Sequence, residues 1–199
     1  SPWAMTFLPD GRMLITEKGG KVFLATQQGQ KTEVSGVPAV QFGGQNGLLG
    51  IYTAPTFDKD RGVYLTYSEP GEDPATSSLA LAHATLDTKG APTLAGLKVI
   101  WRDPIKGKGG QQGAAVAFSP DKKLLYLTVG ERQRFTPAQD PNQPAGKILR
   151  LTLDGKPAYL VPAKGRIEVK GAGGQPVTAN ARDGVAVVDL AEIELTAVE

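Results

Sequence analysis

Cysteine is absent from the 199 residues, and histidine occurs once. The first absence excludes disulfides and thiolate metal sites. The second leaves His83 as the single imidazole, and it falls inside the alternating run "LALAHATL", where a packed or rim residue is expected rather than a base. No apolar run approaches the ~20 residues that a membrane-spanning helix needs. Charge of one sign is scarce too. The net charge is +2 and the most basic stretch, Lys106 to Lys108, is a short loop, so neither a nucleic-acid surface nor a membrane partner is expected. Helical periodicity is almost missing. The chain opens at "SPWAMTF", already inside a strand-like pattern, as a mature or trimmed chain would.

What the sequence does have is punctuation. Gly 25 and Pro 15 are both above average usage, and they separate short runs rich in β-branched and aromatic residues. A repeat organises these runs. "FLPDGRMLIT" (Phe7 to Thr16) and "FSPDKKLLYLT" (Phe118 to Thr128) each read as a strand ending in Phe, a Pro-Asp turn and a second strand closing on Thr. A looser middle copy is "TAPTFDKDRGVYLTY", from Thr53. Proline pre-sets φ for the turn and aspartate caps it through its own side chain, so the chain reverses. Third strands follow from Lys21, Leu79 and Lys147, and candidate fourth strands from Thr32 and Leu97. Repeated antiparallel four-stranded units of this kind predict an all-β fold of propeller-type blades, with a β-sandwich as the alternative. About three blades are expected over residues 1–157, followed by a β-rich tail, 158–199. Strand-like runs in the tail are Arg166–Lys170, Pro176–Ala179, Gly184–Leu190 and Ile193–Val198, and its acidic residues lack a calcium-loop pattern.

The stretches "SPWAMTFLPDGRMLITEKGGKV", "GGQNGLLGI", "FDKDRGVYLTYSE" and "GKILRLTLDGKP" resemble, in order, the soluble aldose sugar dehydrogenases of the glucose/sorbosone dehydrogenase family. The resemblance runs from Trp3 to about Pro157 and implies a six-bladed propeller in the periplasm or secreted. It implies pyrroloquinoline quinone (PQQ) and calcium as cofactors, and oxidation of the C1 hydroxyl of aldoses. Gln45 in "GGQNGLLG" matches a sugar-facing glutamine of the family, and Gln133 is the nearest candidate for its second sugar amide. Arg132 and Arg134 are candidates for the quinone carboxylates, since guanidinium binds carboxylate bidentately. The segment "KGKGGQQGAAVAF" matches the loop carrying the family's general base, a histidine followed by an arginine. Here those positions are Gln111 and Ala115, and Gln112 is a further candidate sugar-binding amide.

That departure has a chemical consequence. Removing the C1 hydroxyl proton calls for a base with a pKa near the working pH, worth about 10²–10⁴-fold in rate. A carboxamide can orient a hydroxyl but cannot take its proton. The family also continues for three further blades, which supply its calcium ligands and most of its grip on the quinone. Impaired or absent turnover is therefore expected of this chain, with a non-catalytic sugar- or protein-binding module as the alternative. No metal ligand is assigned. Three blades cannot close a ring, which leaves cover by a second copy in a homodimer, by the tail, or by a separate polypeptide.

Overall fold

The computed structural model describes residues 1–140, 142–157, 159–160, 166–171, 175, 177–180, 185–186 and 193–198. Its first sheet contains β1 (Pro2–Phe7), β2 (Met13–Glu17), β3 (Lys21–Ala25) and β4 (Lys31–Val34), paired antiparallel in chain order. The second holds β5 (Leu48–Thr53), β6 (Gly62–Pro70), β7 (Ser77–Asp87) and β8 (Thr93–Arg102), also in chain order. The third holds β9 (Gly113–Phe118), β10 (Leu124–Val129) and β11 (Lys147–Thr152) and is three-stranded among the described residues. The first strands β1, β5 and β9 come together, with β5 in contact with both of the others.

Alternation along each strand determines what the sheets bury. In β2, Leu14 and Thr16 point inward and are fully buried, whereas Met13 and Ile15 on the opposite face are half-buried. The middle sheet is covered on both faces, which is why β7 reads as a nearly continuous apolar run. Ala80, Ala82 and Ala84 of β7 join Leu14, Val22 and Val34 of the first sheet in one core. Leu79 and Leu81, from the other face, join Leu125, Leu127 and Leu151 of the third sheet in a second core. Each such leucine contributes about 2 kcal/mol by leaving water. The outer face of the first sheet is less covered, with Trp3, Met5 and Phe7 of β1 all more than half exposed.

The turns bear out the expected aspartate caps. Asp10 Oδ1 accepts from the Arg12 N–H at 3.0 Å, Asp121 Oδ1 from Lys123 at 3.2 Å and Asp60 Oδ1 from Gly62 at 2.8 Å. The middle copy differs in one respect. Its turn is a helical one, α1 (Phe57–Asp60), ended by Arg61 in the left-handed region at φ 58°. Phe57 drives it: the ring is 3% exposed and plugs the first core, which a two-residue Pro-Asp reversal could not accommodate.

Beyond Pro157 the described strands are β12 (Tyr159–Leu160), β13 (Arg166–Gly171), β14 (Val177–Asn180), β15 (Val185–Ala186) and β16 (Ile193–Val198). β13 lies between β14 and β16, and β12 pairs with β15. These fall on the expected tail runs, except that Pro176 and most of Gly184–Leu190 lie outside the described residues.

Candidate functional site

Three loops meet where the second and third sheets approach each other: 43–47, 106–112 and 130–136. Glycine permits the approach. A side chain at Gly110 would run into Gln45, and one at Gly130 would collide with the Gln111 carbonyl. The loop backbones are strained for this purpose. Gln111, Ala114, Arg132, Gln133 and Phe135 all adopt positive φ, the kind of cost that concentrates at functional sites.

A cleft of about 410 Å³ opens at this junction, lined by Gln45, Gln111, Gln112 and the backbone of 113–115, with Trp3, Leu49 and Tyr52 as its apolar wall. Three of the expected site residues thus come together. Gln45 Oε1 accepts the Gln111 N–H at 2.7 Å, a direct tie between the two amide-bearing loops. Asn46 Nδ2 donates to the Gly109 carbonyl at 3.2 Å and reinforces it. Gln112 is placed differently from the expectation that it contacts a sugar. It is 3% exposed, and its Nε2 donates to Asn46 Oδ1 at 2.8 Å and Ser77 Oγ at 3.3 Å. Its donor end is spent on holding the loop, and its Oε1 is sealed from solvent without a partner.

Arg132 does not line the cleft. Its guanidinium lies beneath the loop, 2% exposed, instead of facing a ligand carboxylate. Nε donates to Gly110 O at 3.1 Å, Nη1 to Ser77 O at 3.0 Å, and Nη2 to Gly107 O and Gly109 O at 3.0 Å each and to Ser77 Oγ at 3.3 Å. Burial, and then the nearby Arg134, lower its pKa, while Asp103 opposes them. Arg134 packs its guanidinium against Gly107, away from the cleft lining. Gln133 is tied at the loop edge, its Oε1 accepting from Gly110 N at 3.4 Å, and does not line the cleft.

The only titratable group in the lining is Tyr52. Its hydroxyl donates to Ala114 O at 3.2 Å, and burial raises its pKa, so it stays protonated near neutral pH. Tyr52, Trp3 and Asn46 were not singled out in the sequence. Asn46 had a signal, its place beside Gln45 in "GGQNG"; the other two had none apart from aromaticity. His83 lies on β7 with its ring 4.9 Å from that of Tyr64, a packed position as expected.

Blades that bury their faces against one another, with a cleft where loops of successive sheets meet, define a propeller-type β-protein. The glucose/sorbosone dehydrogenase profile matches residues 1–171, so the family likeness reaches past Pro157 into the tail. The chain belongs to the glucose/sorbosone dehydrogenase family. It is 34% identical over 157 residues to the aldose sugar dehydrogenase YliI of Escherichia coli, covering 78% of this chain and 42% of that protein. Quinoprotein glucose dehydrogenase B of Acinetobacter calcoaceticus is 30% identical over 189 residues, covering 77% and 37%. The structure of the PQQ-bound aldose sugar dehydrogenase of Streptomyces coelicolor superposes with a TM-score of 0.70 at 31% identity, over 81% of this chain and 47% of the other. The chain therefore spans less than half the length of each of these three relatives.

The residues present do not fit PQQ or calcium on their own. A tricarboxylate calls for several cations, yet the described lining residues include neither guanidinium nor ammonium; Lys18 lies over the ring of Trp3. No group of three His, Asp or Glu side chains able to hold a metal ion occurs among the described residues. No helix among them is long and apolar enough to cross a membrane.

Proposed function

We propose that this chain carries the sugar-side half of an aldose sugar dehydrogenase-type site, in which oxidation at C1 is impaired because no group in the cleft can accept the hydroxyl proton. One observation carries the reading. Gln111, at the position of the family's base, lines a cleft whose sole titratable side chain is a phenol already engaged with a backbone carbonyl. Amides and an aromatic wall suit sugar hydroxyls and ring faces, so binding does not require the missing base. PQQ is bound in the Streptomyces coelicolor relative and would act as hydride acceptor; calcium and a periplasmic or secreted location are what the family resemblance implies. Residues 1–157 act as the blade unit and 158–199 as an appended β-rich segment. The outer face bearing Trp3, Met5 and Phe7, and Ile148 on the third sheet, need cover in a ring. A second copy, the tail or a separate polypeptide would supply it, and mass by light scattering separates these.

The test is dye reduction with glucose, PQQ and calcium, using the 199-residue chain. No turnover above that of Gln111→Ala is expected; a rise in Gln111→His would mark the missing base as the limiting loss. Wild-type turnover at the rate of a His-bearing relative would refute the proposal. The non-catalytic reading is favoured by the same absence of a base, and it predicts sugar binding with no turnover even in Gln111→His.

A further inference from the structure

The amides at this site are polarised, and the polarity selects a ligand. A carboxamide facing a backbone N–H must present its oxygen, because its nitrogen cannot accept. Gln45 Oε1 is committed in this way to the Gln111 N–H at 2.7 Å. Its Nε2, on a residue that lines the cleft, donates to no protein acceptor among the described residues. The acceptors nearby are already spent or shut away. Asn46 Oδ1 receives Gln112 Nε2 and Ser68 Oγ, at 2.8 and 3.4 Å, and Gln112 Oε1 is sealed from solvent. The Ala114 carbonyl receives Tyr52 and Thr66 hydroxyls, at 3.2 and 2.9 Å. Among the amide side chains of the lining, the exposed Gln111 still has an oxygen to offer.

A cation adds to these donors. The Lys18 ammonium lies 4.6 Å over the ring of Trp3, which lines the cleft, and donates to the carbonyl of Gly44, the residue before Gln45. No carboxylate of the described residues forms an ion pair with it; Glu17, its chain neighbour, pairs with the N-terminus at 3.5 Å. The cleft and its rim therefore offer an unspent N–H donor and a positive charge with no carboxylate partner among the described residues. A neutral aldose can accept from the Gln45 donor but leaves the Lys18 charge unmatched. A sugar whose C1 is already a carboxylate brings acceptor oxygens and a negative charge.

We propose that the cleft binds an oxidised sugar, a polyol carrying a carboxylate such as an aldonate, in preference to the neutral aldose. Gln45 Nε2 donates to the carboxylate, and Lys18 supplies the opposing charge. The proposal rests on the sugar-site reading above.

The experiment is isothermal titration of the 199-residue chain with gluconate, glucose and acetate. Gluconate should bind at least tenfold tighter than glucose and weaken as salt is added. Gln45→Glu keeps an oxygen toward Gln111 N–H and replaces the donor with an acceptor; it should weaken gluconate tenfold or more. Lys18→Met should narrow the ratio of gluconate to glucose affinity. Circular dichroism confirms that each variant is folded, and Gln45→Met serves if Gln45→Glu is not. Equal affinity for gluconate and glucose, or indifference to Gln45→Glu, overturns the preference and leaves the sugar site standing. Acetate binding as tightly as gluconate also overturns it, by showing an anion site without sugar recognition. If neither sugar binds, the sugar-site reading itself falls.

Discussion

Replacing Arg132 by methionine would test whether a buried guanidinium holds the amide loop in place. Its cost follows from what each acceptor keeps. Ser77 O and Gly107 O retain the N–H bonds they receive from each other's residues, both in the range 2.9–3.0 Å. Gly109 O retains Asn46 Nδ2, and Ser77 Oγ retains Gln112 Nε2. Only Gly110 O is left with no partner among the described residues. One orphaned acceptor costs about 1–3 kcal/mol, and the weakened bonds at the other four add about 0.5–1 kcal/mol each. Relief from burying a charge returns several kcal/mol. The expected net loss is roughly 2–3 kcal/mol, concentrated in the loop. Urea unfolding measures the global part. Hydrogen exchange at the Gly110 and Gln111 amides measures the local part, which should quicken roughly 30- to 150-fold, since ~1.4 kcal/mol is a factor of ten. A stability change below ~1 kcal/mol with unaltered exchange at both amides would refute the assignment of Arg132 as the loop's anchor.

Other expectations follow from single positions. Ala114 holds φ 78°, where glycine is at ease, so Ala114→Gly should raise stability by roughly 0.5–1 kcal/mol in urea unfolding despite the buried methyl. Gly130→Ala should push the Gln111 carbonyl out of place, lowering stability by ~2 kcal/mol and changing tryptophan fluorescence at the cleft through Trp3. Burial lowers the His83 pKa below the usual 6.5 of an imidazole, with Asp60 opposing. The unfolded chain therefore takes up a proton at higher pH than the folded one. The stability from neutral His83 is full above about 6.5 and is lost as pH falls toward the folded pKa. Thermal melts at pH 7.5 and 5.5 should show this drop, and His83→Gln should flatten it.

Much of the fold was legible along the chain. The short strand-like runs and the Pro-Asp reversals are local, so the strands and the capping role of Asp10 and Asp121 could be read before any contact was known. So could the glutamine at the base position, since it depends only on identity at one place in a collinear motif. The helical turn at Phe57 was not legible, because it depends on a core formed by another sheet. The roles of Arg132 and Gln112 were hidden for the same reason. A buried donor goes where acceptors converge, and those acceptors come from loops 22 to 55 residues away from Arg132. Sequence alone determined that this chain builds blades and lacks an imidazole in its amide loop. Only the tertiary structure decided which polar groups are spent holding the loops together, because hydrogen-bond saturation depends on distant segments meeting at one point. What remains unspent is what the cleft can offer a ligand.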